Sequence, residues 1–285
     1  MMLLVQIPKL PLAKWINDLV DWLTQFSGFF NSVTNFFQAI INAFQWVFDL
    51  LPVWLFIIII LAITYWEKRH TKKWGLLSFE LIGLLLIWNL GFWHDMTETL
   101  TLVLTSTLIA LIIGVPLGIW MAKKATVQAI VNPILDFMQT MPAFVYLIPA
   151  VAFFGIGMVP GVLSSVIFAT PPTVRMTNLG IRQVPTDLVE AADAYGTNAW
   201  QKLIKVELPL ARPTIMAGIN QSLMLALSMV VIASMIGALG LGTQVYFAVG
   251  RNDAGAGFAA GLAVVILAII LDRITQSLTQ DKHSS

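Results

Sequence analysis

Apolar positions fall in long uncharged blocks along this chain. A helix needs about 20 apolar residues to cross the hydrocarbon core of a bilayer. The blocks predict seven membrane spans, at 51–66, 74–93, 98–121, 139–157, 161–179, 213–236 and 256–272. Membrane barrel strands are segments of about ten residues in which apolar and polar side chains alternate, and the sequence shows no such segments. We therefore expect an all-α polytopic membrane protein with about seven transmembrane helices.

Glycine and proline interrupt two of the apolar blocks. The block 137–174 has no charged residue and is too long for one helix. Residues at its centre predict a hairpin between two spans, namely Gly155, Gly157, Pro160 and Gly161. Beyond residue 236, three glycines predict a non-helical stretch, namely Gly237, Gly240 and Gly242.

The first 50 residues have a different pattern. Between 14 and 50, apolar residues recur every three or four positions, and Asn, Gln and Asp occupy the opposite face. This predicts an amphipathic helix, bent near Gly28, that lies in the membrane interface or along a partner helix. The alternative is a helix that packs on the rest of the protein as a scaffold. Residues 51–96 would then add transmembrane helices before the remaining spans.

A polar segment at 182–210 lies between two apolar blocks. Asp187, followed three residues later by Glu190, has the spacing of a capping box and predicts a helix start. Gly196 can adopt a positive φ and end that helix. Asn198 is a suitable N-cap for a second short helix. The segment is therefore predicted to be two short helices joined at a glycine.

The second short helix of this segment is predicted to stop at Pro209. We expect Trp200 and Leu203 to pack the segment against its own membrane domain. The small side chains of Ala191 and Ala192 would let the backbone of another protein approach closely. An ordinary amphipathic loop without a partner is the alternative.

Basic residues are distributed unequally between the two sides that the predicted spans define. The segments 67–73, 122–138 and 175–212, with the tail after 272, hold 13 of the 16 Lys and Arg residues. The positive-inside rule places this group in the cytoplasm. The N-terminus is then outside, and the tail 274–285 is cytoplasmic.

Composition excludes several classes of function. Apolar residues make up 58% of the chain and charged residues 11%, against about 25% charged in soluble domains. A net charge of +1 argues against nucleic acid as a partner. The chain has no cysteine and three scattered histidines, so we expect no metal site. No lysine follows a glycine, so the sequence has no P-loop, and we expect neither an ATPase site nor a cofactor.

Six stretches carry a resemblance to a known family. They are Ser106-Thr107-Leu108, Gly114-Val115-Pro116-Leu117-Gly118, Met138-Gln139-Thr140-Met141-Pro142, Ala169-Thr170-Pro171-Pro172-Thr173-Val174-Arg175, the spaced set from Glu190 to Pro209, and Gly237-Ala238-Leu239-Gly240-Leu241-Gly242. With these motifs, residues 97–273 resemble the five-span core of the permease subunits of binding-protein-dependent ABC importers. Within that family the chain is most similar to glycine betaine/proline-type permeases.

The resemblance implies function and partners. It implies a subunit that forms the translocation path for glycine betaine or a related compatible solute, in osmoprotection. Its partners would be two copies of an ATPase that uses the ATP, an extracytoplasmic substrate-binding protein, a second copy of this chain, and membrane lipid. The residues implied to couple to the ATPase are Glu190, Ala191, Ala192, Gly196, Leu208 and Pro209. The family's isoleucine is replaced conservatively by Val206.

Polar residues within the predicted spans have two interpretations. Asn220, Gln221 and Ser222 either line the translocation path or form interhelical hydrogen bonds. Glu80 either has a role in transport or a local role, in which it reaches the cytoplasmic interface or pairs with a neighbouring helix.

Two other functions remain open. The first is an importer permease for another small solute, such as choline, carnitine or an amino acid. The second is an ion-coupled secondary transporter, against which the uncharged core spans argue. A membrane enzyme would need a catalytic cluster, and the sequence does not suggest one.

Overall fold

A computed structural model of the chain describes residues 10–67 and 73–279, and all regular structure within those ranges is helical. This confirms the predicted all-α class. The helices are α1 (Leu12–Thr24), α2 (Ser27–Leu50), α3 (Val53–Glu67), α4 (Lys73–Asn89), α5 (Trp93–Lys123), α6 (Ala125–Thr140), α7 (Leu147–Phe154), α8 (Met158–Arg182), α9 (Thr186–Ala194), α10 (Ala199–Lys202), α11 (Leu208–Ser234), α12 (Leu241–Gly250) and α13 (Ala254–Thr279). A 3-10 turn (Ala143–Tyr146) precedes α7, and a π turn (Leu203–Glu207) precedes α11.

Helices α5, α8 and α11 pack together at the centre of the molecule through small residues. A methyl group added to Gly114 of α5 would lie 2.8 Å from Cγ2 of Thr173 on α8. One added to Gly118 would lie 2.6 Å from Cβ of Thr177. Such distances leave no room for a side chain, so the glycines permit close contact between helix backbones.

Three continuous helical stretches in the described residues are long and apolar enough to cross a membrane: α5, Ala199–Ser234 and Ala254–Gln276. Two sharply bent helix pairs raise the number to five if each pair counts as one span. By length and composition, the described residues therefore contain at most five membrane spans, fewer than the seven predicted. Helices α3 and α4 are short, at 15 and 17 residues. Helix α8 is long enough, but its serines and threonines lower its hydropathy.

Three hydroxyl groups of α8 are buried in the centre and bonded to their own helix. Ser164, Ser165 and Thr170 donate to the carbonyl groups of Pro160, Gly161 and Val166, at 2.8, 2.9 and 2.6 Å. A hydroxyl group satisfied in this way can be buried among apolar side chains at low cost. Low hydropathy therefore does not exclude α8 from a membrane.

The predicted span 139–157 is wrong as a single helix. The chain bends by 108° between α6 and the helical stretch Ala143–Phe154. Met141 is extended and Pro142 follows it, as expected from the steric restriction on a residue before proline. The Tyr146 hydroxyl donates a hydrogen bond to the carbonyl of Met138 across the bend.

The two predicted interruptions of the apolar blocks are confirmed. Helix α7 ends at Phe154 and α8 begins at Met158, which gives the expected hairpin. Helix α11 ends at Ser234 and α12 begins at Leu241, so Gly242 lies inside α12 rather than in the loop. The N–H of Gly157 donates to the carbonyl of Ile236 at 2.8 Å, and this bond joins the two loops.

The N-terminal amphipathic region is two helices rather than one. The break lies at Gln25–Phe26, just before the predicted bend at Gly28. Helix α2 packs on the body of the protein: Phe37 and Ile41 are buried, and the Phe30 ring stacks on Phe153 with 4.8 Å between centroids. Helix α1 contributes no buried residue. The scaffold alternative therefore applies to α2 and not to α1.

Candidate functional site

The first helix of the 182–210 segment begins without the predicted capping box. Pro185 occupies the N-cap position of α9 and makes no side-chain cap. Asp187 lies in the first turn, where a carboxylate is favoured by the helix dipole. The spacing from Asp187 to Glu190 thus marked the helix start, but the interaction inferred from it is wrong.

Gly196 ends α9 as predicted. Its φ is +75°, a left-handed conformation that costs a residue with a Cβ about 1–2 kcal/mol. The turn is fixed by backbone bonds from Gly196 N–H to Asp193 (2.9 Å) and from Thr197 N–H to Ala192 (3.1 Å). The Thr197 hydroxyl donates to the same Ala192 carbonyl at 2.7 Å. The bend is therefore a defined structure rather than a loose loop.

Asn198 caps the second short helix, α10, as predicted. Its side chain accepts from the N–H of Gln201 at 2.8 Å, and its own N–H donates to the Gln201 side chain at 3.1 Å. This reciprocal pair is a complete capping box. Lys202 then donates to both carboxylate oxygens of Asp193, each at 2.8 Å, and so connects α10 to α9.

The predicted stop at Pro209 is wrong. Helix α10 passes through the π turn into α11, which gives one continuous helical stretch of 36 residues, Ala199–Ser234. A proline lacks the N–H that a regular helix interior needs. Here it falls in the first turn of α11, directly after the π turn. Local π geometry of this kind relieves the backbone conflict that a proline creates.

The exposed and buried sides of the segment differ from the prediction at two residues. Ala192 is 7% exposed and packs within the segment, and so is not available for a partner's backbone. Trp200 is 68% exposed and does not pack on the membrane domain, whereas Leu203 is buried as expected. Amphipathic spacing alone did not identify which face of α10 is covered.

The outer surface of the segment combines charge, a small residue and aromatic groups. Glu190 and Ala191 are exposed on α9. The Tyr195 side chain is 90% exposed and lies beside Gly196 at the bend. Pro209 is exposed and Leu208 is half-buried at the far end. Of the six predicted coupling residues, only Ala192 is buried.

The inner side of the segment contacts the end of α5, which sequence reasoning missed. Glu207 is buried, and its carboxylate forms an ion pair with Lys123, the last residue of α5. Arg182, at the other end of the segment, donates to the carbonyl of Met121 at 3.2 Å. The signal in the sequence was a charged residue, Glu207, directly before the Leu-Pro pair.

An apolar cluster lies beneath these polar contacts. Leu203, Ile181, Ala211 and Ile215 form its buried part. Half-buried residues of α5 pack against it, namely Val115, Ile119 and Ala122. This packing attaches the segment to α5, α8 and α11 together.

Two of the three candidate path residues form hydrogen bonds between helices. Ser222 is buried and lies 2.7 Å from the Thr173 hydroxyl on α8. Asn220 donates to Asp272 of α13 at 2.8 Å. Gln221 is exposed on α11, and Ser228 is exposed seven positions further along. The structure therefore separates Gln221 from its two neighbours.

Glu80 makes a contact between helices of the N-terminal part. It is fully buried on α4 and accepts a hydrogen bond from Thr64 of α3 at 2.9 Å. This favours the pairing interpretation of Glu80. Within residues 10–67 and 73–279, no cluster of three or more His, Asp or Glu residues has the arrangement of a metal site.

A helical domain that carries an anchored two-helix segment between two of its central helices, α8 and α11, is the arrangement expected of a transport permease subunit. The family described as "Binding-protein-dependent transport system inner membrane component" matches residues 114–283, and the chain belongs to that family. The resemblance noted from the sequence motifs is thereby confirmed.

Individual relatives are similar over most of the chain. The chain is 73% identical to the glycine betaine/carnitine transport permease protein GbuB of Listeria monocytogenes, over 98% of this chain and 99% of that protein. It is 58% identical to the glycine betaine transport system permease protein OpuAB of Bacillus subtilis, over 82% of each chain. It is 52% identical to the glycine betaine/proline betaine permease protein ProW of Escherichia coli, over 80% of this chain and 63% of that protein.

A solved structure shows the same fold. A chain of the MetNI methionine ABC transporter, in an inward-facing conformation, superposes with a TM-score of 0.59 and 24% identity. The superposition covers 64% of this chain and 94% of that chain. The remaining third of this chain is consistent in size with α1 to α4, which precede the predicted core.

Proposed function

We propose that this chain is the transmembrane permease subunit of an ATP-driven importer for glycine betaine or a related compatible solute. The observation that carries the proposal is the 73% identity to a glycine betaine/carnitine permease protein over almost the full length of both chains. Uptake of such a solute would serve osmoprotection. The chain is placed in the cell membrane, with its N-terminus outside and its C-terminus in the cytoplasm.

ATP hydrolysis is assigned to a separate subunit, present in two copies, that binds the outer surface of the 182–210 segment. The exposed Glu190, Ala191 and Tyr195 support this assignment, because they lie on a projection that the described part of the chain does not cover. Gly196 would set the angle of that projection, and Leu208 and Pro209 its connection to α11. Ala192 is assigned to the internal packing of the segment.

The translocation path is assigned to a face of α11 shared with a second copy of this chain. Gln221 and Ser228 lie on one side of a helix that is apolar enough to cross the membrane. An amide group that faces lipid is costly because hydrocarbon offers it no hydrogen bond. A neighbouring subunit or an aqueous path would supply one. An extracytoplasmic binding protein would deliver the solute at the outer end of this path, and lipid would cover the remaining apolar surface.

The test is uptake of labelled glycine betaine by proteoliposomes that contain the complete complex of permease, ATPase and binding protein. We expect uptake with ATP inside the vesicles and none with a non-hydrolysable ATP analogue. Uptake driven by a sodium or proton gradient without ATP would contradict the importer. ATP-driven uptake of an unrelated solute, but not of glycine betaine, would contradict the substrate alone.

Carnitine is a second candidate solute because one relative is named for both compounds. In the same vesicles, unlabelled carnitine would compete with labelled glycine betaine if one path serves both. Choline and an uncharged amino acid make suitable further competitors. If unlabelled carnitine does not reduce uptake of labelled glycine betaine, the proposal is restricted to glycine betaine.

A further inference from the structure

Both ends of the 182–210 segment are attached to the same place, the last three residues of α5. Arg182 binds the carbonyl of Met121, and Glu207 binds the ammonium group of Lys123. The two contacts join parts of the chain that are 61 and 84 residues apart. A force on α9 or α10 therefore reaches α5 as well as the helices that flank the segment in sequence.

Each contact also suits the local chemistry of the end of a helix. The last carbonyl groups of α5 have no partner within the helix, and Arg182 supplies one. Lys123 lies in the last turn of α5, where a positive charge is favoured by the helix dipole. The Glu207 carboxylate is buried, so solvent screens its attraction to Lys123 less than it would at the surface.

The π turn helps to bring Glu207 to α5. Leu203, Glu207 and Ala211 are all buried and are spaced four residues apart. In a regular α-helix, the side-chain direction rotates by about 40° between positions four residues apart, so the drift accumulates along the helix. A turn wider than that of an α-helix reduces this drift. Glu207 thus remains on the same face as the apolar residues that pack against α5 and α8.

We propose that Glu207 and Lys123 are positioning residues that clamp the 182–210 segment to α5, so that movement of the segment by the ATPase moves α5 together with α8 and α11. This inference rests on the proposed function, because it assumes that an ATPase drives the segment. Loss of the pair would let the segment move without α5. ATP would then be hydrolysed with less solute transported.

The experiment measures solute taken up per ATP hydrolysed by the complete complex in proteoliposomes. Glu207→Gln and Lys123→Met each remove one charge with little change of size. Each is expected to lower this ratio about fivefold or more while the ATPase copurifies in its normal amount. The double variant Lys123→Glu with Glu207→Lys restores an opposite-charge pair and should recover most of the ratio. Lys124→Met, at the neighbouring exposed lysine, should leave the ratio unchanged.

Hydrogen exchange on the complex provides a second measurement that does not depend on solute. In Glu207→Gln, the amides at 119–124 and 199–207 should exchange faster than in the original protein, with other helices unaffected. A normal uptake ratio in both single variants, unchanged exchange, loss of bound ATPase, or failure of the double variant to recover would each overturn the clamp. If the unaltered complex takes up no glycine betaine with ATP, the proposed function fails instead, and exchange alone decides the clamp.

Discussion

The α1 helix and the 182–210 segment are both amphipathic and both expose aromatic side chains. Trp15 and Trp22 are exposed on α1, as Tyr195 and Trp200 are on the segment. Their internal structure differs. Helix α1 has no side-chain cap and buries nothing. The 182–210 segment has a capping box, an ion pair between its two helices, and contacts to α5 at each end.

This difference shows that an amphipathic pattern alone does not give a segment a fixed shape. The 182–210 segment holds its shape through its own bonds, so a partner does not have to order it on binding. Helix α1 has neither a side-chain cap nor a buried residue to hold it in place. Helix α2 lies between the two cases, because it is held by buried apolar residues rather than by polar contacts.

The largest expected effect concerns α2. Ile41 is 2% exposed, so Ile41→Ala should weaken the attachment of α2 by about 2–5 kcal/mol. Trp15→Ala, on α1, should have no measurable effect on stability. Hydrogen exchange across Ser27–Leu50 measures the first change, and thermal unfolding in detergent measures both. Equal destabilisation by the two variants would remove the distinction between α1 and α2.

A somewhat smaller effect is expected within the 182–210 segment. Ala192→Trp overfills a packed site and should cost about 1–3 kcal/mol. The isolated permease should then be cleaved more readily in this segment by protease. Ala191→Trp, at an exposed site, should leave protease resistance intact but reduce copurification of the ATPase. If both variants resist protease equally, Ala192 does not support the fold of the segment.

Gly196 provides a test of the bend. Gly196→Val forces a β-branched residue to φ +75° and should cost about 1–2 kcal/mol, enough to lower uptake roughly tenfold. Gly196→Asn is the matched control, because asparagine tolerates the left-handed conformation and, apart from the adjoining residues, no described part of the chain lies within 4 Å of the new Cβ. Uptake by the valine variant at the level of the asparagine variant would show that the bend angle is unimportant.

Single cysteines should have the smallest effect and should establish the orientation. The chain has no cysteine, so each introduced thiol is the only one. Ala199→Cys and Lys124→Cys should be protected from an impermeant thiol reagent in intact cells, whereas Asn31→Cys and Ala254→Cys should react. All four positions are exposed. Labelling of Ala199→Cys from outside would reverse the proposed topology.

The features predicted correctly from sequence depend on residues close together in the chain. The hairpin before α8, the end of α9 at Gly196 and the cap at Asn198 each follow from local backbone chemistry. The features that were missed depend on distant residues. The pairing of Glu207 with Lys123 follows from where α5 ends relative to α11. Burial of Ala192 and exposure of Trp200 follow from how the folded segment covers one face of each short helix and not the other. The π turn was missed because a proline normally indicates a helix stop.

The π turn divides the continuous helix from Ala199 to Ser234 into two arms of very unequal length. The short arm, α10, has 4 residues and a length of about 6 Å. The long arm, α11, has 27 residues and a length of about 40 Å. With the π turn as pivot, a displacement of the short arm would be enlarged roughly sevenfold at the far end of α11. If the proposed ATPase moves α10 by under about 1 Å about this pivot, the far end of α11 would shift by several ångströms.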